Sequence, residues 1–285
     1  MQIFCDSSCD LLESDLCAIG AVPIVFPYSL DGEEQTEVFK QTAEFDNFFA
    51  KIRSGKTPKT AGINAFTYEE VFSPYLAKGE DVLYVHLSSG LTGTFNFKDQ
   101  IISDLKKEFP DRKVVFVDSL QVSFGVAELV LMAARLRDQG LSIDEIESKL
   151  NELKYHISTY FVPESLFYLQ KGGRISLAAA IGGTLLNVRP LIKITDEGKL
   201  QKIGVVAGRK SAIKKLALAA AENIVESDLP VGIMHASCEQ DALILKEEVE
   251  KLLPNKKIEF HHIGPTIGTY CGPGTLGIIF NSKQR

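Results

Sequence analysis

Between residues 81 and 137 the chain reads strand, helix, strand, helix, and this order constrains the fold more than any other feature. "DVLYVHL" (81–87) and "KVVFVD" (113–118) are short, valine-rich apolar runs, the pattern of strands buried on both faces. Between them Phe97, Ile101, Leu105 and Phe109 recur every four residues, which is one face of a helix. A second helical pattern runs from about Val122 to Arg137. Strands that alternate with helices predict an α/β fold whose mainly parallel sheet is flanked by helices. "QIFCD" and "AVPIVFPYSL" add strand candidates, with a helix expected near Asp10 to Ile19.

"LSIDEIESKLNELK" opens with a capping box, Ser142 and Glu145, in which the hydroxyl caps a backbone N–H and the carboxylate reaches back. The helix it starts is expected to end near Tyr155, and the chain divides there into an N-terminal domain, 1–157, and a smaller C-terminal α/β domain, 158–285. The second half has a different rhythm, which predicts a mixed sheet. Two β-runs flank Asp196-Glu197-Gly198-Lys199, a hairpin signal. A helix (209–226), a strand (230–236), a helix (239–253), a strand (256–262), a Gly/Pro loop and a last strand, "LGIIF", follow.

Composition excludes several classes. The five cysteines are odd in number and contain no C-x-x-C, which argues against a disulfide framework and a structural zinc site. The N-terminus has acids where a signal peptide is apolar, and the uncharged apolar run Ile175 to Val188 is too short to span a bilayer. The expected location is cytoplasmic, without integral membrane association. The net charge of −6 is uneven: the window 165–220 holds ten cations against two anions. That basic face fits an anionic or docking partner, or simply a solvated surface. Its few aromatics argue against single-stranded nucleic acid.

"HLSSGLTGTF" (86–95) places a Ser/Thr/Gly loop between a buried strand and a helix, where an open α/β sheet holds ligands and a helix N-terminus favours anions. The alternative is a tight capped turn. No lysine follows as in a Walker A loop, and no G-x-S-x-G is present. An enzyme using Ser88, Ser89 or Thr92 as nucleophile needs a base, and the only one near the motif is His86. In "LQKGGRIS" (169–176) a Gly-Gly turn presents Arg174, either to a carboxylate or phosphate or to solvent. "KTPKTAGIN" (56–64) reads as a loop. His235, His261 and His262 lack carboxylates at ligand spacing, so no metal is expected. The G-x-G-x-x-G of Gly272, Gly274 and Gly277 opens no helix, so it is no dinucleotide fingerprint. Its glycines are expected to bring backbone close to a bound group.

Taken in order, "DSSCDL", "SSGLTGT", "VDS" (117–119), "LQKGGRIS", "GRKSAI" and "GTYCGPG" resemble the DegV family along nearly the whole chain. This family of fatty-acid-binding proteins includes the binding subunit of bacterial fatty acid kinase. The resemblance implies a protein that is not itself an enzyme and takes no cofactor. It implies a buried long-chain fatty acid, such as palmitate, between two α/β domains. The carboxylate would be held by Thr60, Thr92 and the Gly93 amide, with Ala61, Ser88 and Ser89 in the neighbouring loops. A separate ATP-binding kinase subunit would phosphorylate the carboxylate, and the acyl phosphate would feed phospholipid synthesis. Arg174, Arg209 and Lys210 match the family's docking cations. The alternative is a phosphotransferase or hydrolase that uses the Ser/Thr-Gly loop.

Three positions depart from the family pattern. Thr60-Ala61-Gly62-Ile63 stands where the family has T-S-Q-P, Thr92 stands for a serine, and Tyr270 stands for a histidine. A phenol hydrogen-bonds but stays neutral at pH 7. With only Lys56 and Lys59 as cations in these loops, the carboxylate is expected to be held by neutral donors, Tyr270 included.

Overall fold

The computed structural model describes residues 1–35, 40–176 and 188–284; most of the uncharged run noted above lies outside them. The first sheet has four parallel strands in the order β2-β1-β6-β7, namely β1 (Gln2–Asp6), β2 (Ala21–Ile24), β6 (Val82–His86) and β7 (Val114–Asp118). All of β6 is buried, as a strand covered on both faces must be. On one face α3 (Ala65–Ala77) and α4 (Lys98–Glu108) close over an aromatic cluster, with Phe4 4.8 Å from Phe72 and Tyr84 5.2 Å from Phe116. On the other face lie α5 (Phe124–Asp138) and α6 (Ile143–Leu153), packed on Ile3, Leu83 and Val85. The capping box of α6 forms as expected, with the Ser142 amide 2.8 Å from Glu145 Oε2.

A small antiparallel sheet, β4-β3-β5, was legible only in part, since the strand region expected in "AVPIVFPYSL" contains β3. It comprises β3 (Tyr28–Leu30), β4 (Glu33–Gln35) and β5 (Pro58–Thr60). The segment read as a loop at 56–64 therefore contains a strand, and Thr60 ends it. The helix α2 (Thr42–Arg53), which buries Phe45, Phe48, Phe49 and Ile52, was not expected. The first helix is shorter than expected. Ser7–Cys9 make a 3-10 turn that Asp10 stops in a left-handed conformation (φ 59°), and α1 spans only Glu13–Ala18.

From Ile157 onward every strand among the described residues belongs to a third, mixed sheet of six strands in the order β10-β9-β8-β13-β11-β12. These are β8 (Ile157–Val162), β9 (Val188–Ile194), β10 (Leu200–Ala207), β11 (Val231–His235), β12 (Ile258–His262) and β13 (Leu276–Asn281). β9 and β10 pair antiparallel around the expected hairpin, and only β11 and β12 pair parallel. Side chains alternate between faces with period two. Val162, Leu191, Ile233 and Ile278 meet the helices Arg209–Asn223 and Glu239–Leu252 on one face. Phe161, Ile192, Met234 and Ile279 point the other way, into the core shared with the first sheet. That second face is the one that builds the site.

The region expected to be a Gly/Pro loop is half helix: Pro265–Cys271 is helical, with Pro265 in the first turn, where its missing N–H costs nothing. A strand follows Gly274, as expected of a sequence that carries no dinucleotide loop. Cys5, Cys9 and Cys271 are buried thiols, and all five cysteines are free. Among the described residues no helix is long and apolar enough to cross a membrane. Among them no His, Cys, Asp and Glu side chains group to hold a metal ion.

Candidate ligand-binding site

A cavity of about 580 Å³ lies between the first sheet and the inner face of the third. Its walls are mostly apolar, with Phe26, Ile63 and Val122 from the first half and Phe161, Leu169, Met234 and Ile263 from the second. Thr60, Ala61, Thr92, Gly93 and Tyr270 all line it, although they come from three separate segments. The end of β5 supplies Thr60, the loop after β6 supplies Thr92 and Gly93, and the helix Pro265–Cys271 supplies Tyr270.

The polar groups form one connected cluster. Thr60 Oγ1 and the Tyr270 phenol are 2.6 Å apart. Arg174 lies over the Tyr270 ring, its guanidinium carbon 4.4 Å from the centroid, and its Nε donates to the Leu91 carbonyl at 2.9 Å. Leu91 adjoins Thr92, whose hydroxyl is 3.1 Å from that of Thr94. Thr94 is 2.7 Å from Nε2 of His86, a fully buried imidazole. Burial pushes the pKa of that imidazole below its ordinary value.

Beside the neutral donors expected, a cation, Arg174, lines the same cavity. The sequence hid this because a Gly-Gly turn presents an arginine inward or outward equally well. Gly173 has φ +70° and turns the chain. Gly172 is needed for another reason, since a Cβ there would lie 2.3 Å from the Tyr270 ring. The ring thus packs against bare backbone and under the guanidinium. An aromatic face attracts that cation, whereas an imidazolium in its place would repel it. Lys56 is spent on an exposed ion pair with Asp31 (2.8 Å), and neither Lys56 nor Lys59 lines the cavity.

The other loop residues have structural positions. Ser88 is buried and donates to the Gly198 carbonyl at 2.7 Å, fastening the loop to the β9–β10 hairpin. Gly90 permits that approach, because a Cβ there would lie 2.6 Å from the Glu197 carbonyl oxygen. Ser89 is exposed and lines an outer cleft with Arg174, Lys199 and Lys202, which adjoins the cavity mouth at Leu91 and Thr92. Arg209 does not stand free on the surface. It pairs with Asp241 at 2.9 Å and donates to the Gly274 carbonyl at 2.8 Å, bracing the turn before β13. Lys210 is exposed.

The glycines of "GPTIGTYCGPGTLG" admit neighbouring side chains. A Cβ on Gly268 would meet Phe49 at 2.6 Å, on Gly272 the Tyr168 ring at 2.2 Å, and on Gly277 Met234 at 2.4 Å. This corrects the expectation that they approach a bound group. Gly268 and Gly272 let the helix carrying Tyr270 sink into the core, and Gly277 lets β13 pack on Met234.

A family model described as "Uncharacterised protein, DegV family" matches residues 1–283. A DegV domain-containing protein of Clostridium perfringens is 33% identical over 279 residues, covering 98% of this chain and 96% of that protein. The crystal structure of a DegV lipid binding protein from Thermotoga maritima superposes with a TM-score of 0.83 at 28% identity, covering 100% of this chain and 99% of that one. A DegV family protein from Thermus thermophilus, described for its fatty acid binding, matches with a TM-score of 0.83 at 27% identity over 99% of both chains.

Proposed function

This chain belongs to the DegV family, and we propose that it is a carrier without catalytic residues that holds a long-chain fatty acid non-covalently in the cavity. The observation that carries the reading is the cavity's division of labour: an apolar volume with its polar groups gathered in one cluster, Thr60, Thr92, Gly93, Arg174 and Tyr270. Its size is in the range of about 300–1,000 Å³ usual for small-molecule sites. The lipid and fatty acid binding described for the Thermotoga and Thermus relatives supports the same reading. In this proposal residues 1–157 and 158–285 act as two domains that close on the acyl chain. A buried carboxylate without partners would be costly, and Arg174 with the hydroxyls supplies them.

The carboxylate would be presented to an ATP-dependent kinase subunit, which forms the acyl phosphate in the cytoplasm. Docking falls to the outer cleft beside the cavity mouth, where Arg174 and the exposed Lys199 stand, and to the exposed Lys210. Lys199→Glu combined with Lys210→Glu is expected to reduce acyl phosphate formation at least about tenfold at low salt, with fatty acid binding unchanged. Joint loss of both would merge the two functions. The alternative, an enzyme using the Ser/Thr-Gly loop, is weakened by Ser88's commitment to Gly198 and by the burial of Thr94, the one hydroxyl that His86 touches. The direct test is solvent extraction of the purified protein followed by mass spectrometry. An empty cavity that takes up no added fatty acid would overturn the carrier reading.

A further inference from the structure

The hydrogen bonds behind Thr92 have a direction. His86 Nδ1 faces the Leu87 carbonyl. A carbonyl only accepts, so Nδ1 carries the proton, and in the neutral ring Nε2 is an acceptor. Thr94, 2.7 Å away, must then donate to Nε2. It has one proton to give, so its 3.1 Å contact with Thr92 is one in which Thr92 donates. In this state the Thr92 proton is spent on Thr94, and its oxygen offers a ligand only lone pairs. A carboxylate, which only accepts, gains nothing from such an oxygen.

We propose that the head group binds Thr92 with a proton in hand, and that this proton passes along the hydroxyls to His86. The carboxyl O–H gives its proton to Thr92 Oγ1 as Thr92 gives its own to Thr94 and Thr94 gives its own to Nε2. Each hydroxyl ends with one proton, the head group ends as carboxylate, and the ring ends as imidazolium. Every donor then points outward, and Thr92 donates to the carboxylate. His86 is a positioning residue, because it does not line the cavity and reaches it through the threonine hydroxyls.

The surroundings of the ring suit a cation held inside. Asp6 lies at the end of β1, where its Oδ2 accepts the Leu87 amide at 2.7 Å and the Tyr84 phenol at 3.3 Å. Asp118 stands at the end of β7, and both carboxylates favour the charged ring. Tyr84 on the ring's own strand and Phe95 from the turn before α4 meet it edge-on and tilted, at 5.5 and 5.1 Å. Burial opposes the charge, so the resting ring is neutral and the ligand carboxylate supplies the counter-charge.

This inference rests on the fatty acid reading, and the experiment separates the two. Delipidated protein is titrated calorimetrically with laurate at pH 7.4 in phosphate and in Tris, buffers with different ionisation enthalpies. The difference in heat is expected to report uptake of about one proton per bound laurate. His86→Gln and Thr94→Val are expected to abolish the uptake, and Thr94→Ser, which keeps the hydroxyl, to restore it. In ¹⁵N spectra the His86 ring should change from neutral to imidazolium on binding. Binding without proton uptake overturns this inference alone. Uptake that persists in the soluble His86→Gln and Thr94→Val proteins also overturns it, since the proton then stays on the head group. Absence of any binding overturns the fatty acid reading, and this inference falls with it.

Discussion

At the scale of single residues, the Thr60–Tyr270 pair makes a non-obvious prediction. Two hydroxyls carry two protons, and their 2.6 Å contact uses one. The other can point to a bound carboxylate. Tyr270→Phe leaves Thr60 able to donate, and Thr60→Val leaves Tyr270 able to donate, so each is expected to weaken fatty acid binding by no more than about twofold. The double variant loses the donor altogether and is expected to lose roughly 1.5–3 kcal/mol, the worth of a hydrogen bond to a charged group. Titration calorimetry on the four proteins gives the coupling, and strictly additive losses would show two independent contacts. A second residue bears on stability. Glu128 in α5 is buried, its Oε1 has no hydrogen-bond partner, and burial, aided by the charge of Glu259, raises its pKa to about 8. The unfolded value is near 4.3. The folded state therefore binds the extra proton between these values, and stability falls as pH rises through that window. Glu128→Gln is expected to raise the melting midpoint at pH 8.5 by about 3 °C or more, with the gap closing toward pH 4. A gap that stays constant across that range would mean that the carboxyl keeps its ordinary pKa.

At the scale of elements, the helix Pro265–Cys271 places Tyr270, and it forms against its own composition. Three glycines, a proline and two threonines in a helix and its flanks are poor helix formers. Packing overrides propensity here, because Pro265, Thr266, Gly268, Thr269 and Cys271 are all buried. Gly272 ends the helix at φ +74° with the Tyr168 ring against its Cα, so Gly272→Ala incurs both a left-handed penalty and a clash. The expected cost is about 2 kcal/mol or more, read as a lower midpoint in thermal melts of ligand-free protein. An unchanged melt would mean that Tyr168 moves aside freely. The same elements show which parts of the fold were legible. β6, α4, β7 and α5 announced themselves through long periodic runs. The three-residue strands of the small sheet have no room for a period, and Pro58 and the acids of β4 disguise them further. The convergence of Thr60, Thr92, Gly93 and Tyr270 was expected from family motifs, since no local pattern brings three distant segments together. The inward turn of Arg174 and the tie from Thr92 to His86 were not expected, because both depend on which way a side chain faces after the halves pack.

At the scale of the whole molecule, the cavity is a seam. One wall belongs to the first half and the other to the inner face of the six-stranded sheet, so a ligand there adds contacts to both. Binding to the folded state alone stabilises it by mass action, about 2.7 kcal/mol at a hundredfold excess over the dissociation constant. The acyl chain should supply most of the affinity. Each buried methylene is worth about 0.8 kcal/mol, or roughly fourfold in binding. Delipidated protein is therefore expected to melt several degrees lower than the loaded form. A series of saturated acids should restore the midpoint in steps that grow with chain length. The steps should stop at the length that fills the cavity, because a longer chain must leave methylenes in water or force the walls apart. Substituting bulk into the wall tests the same limit from the protein's side. Met234 and Phe161 meet at Gly277, where a Cβ would already touch both, so Val122→Phe is the cleaner way to shorten the cavity. It is expected to lower the length at which affinity peaks while leaving short acids bound as before. A peak that keeps its position in that variant would place the acyl chain outside this cavity.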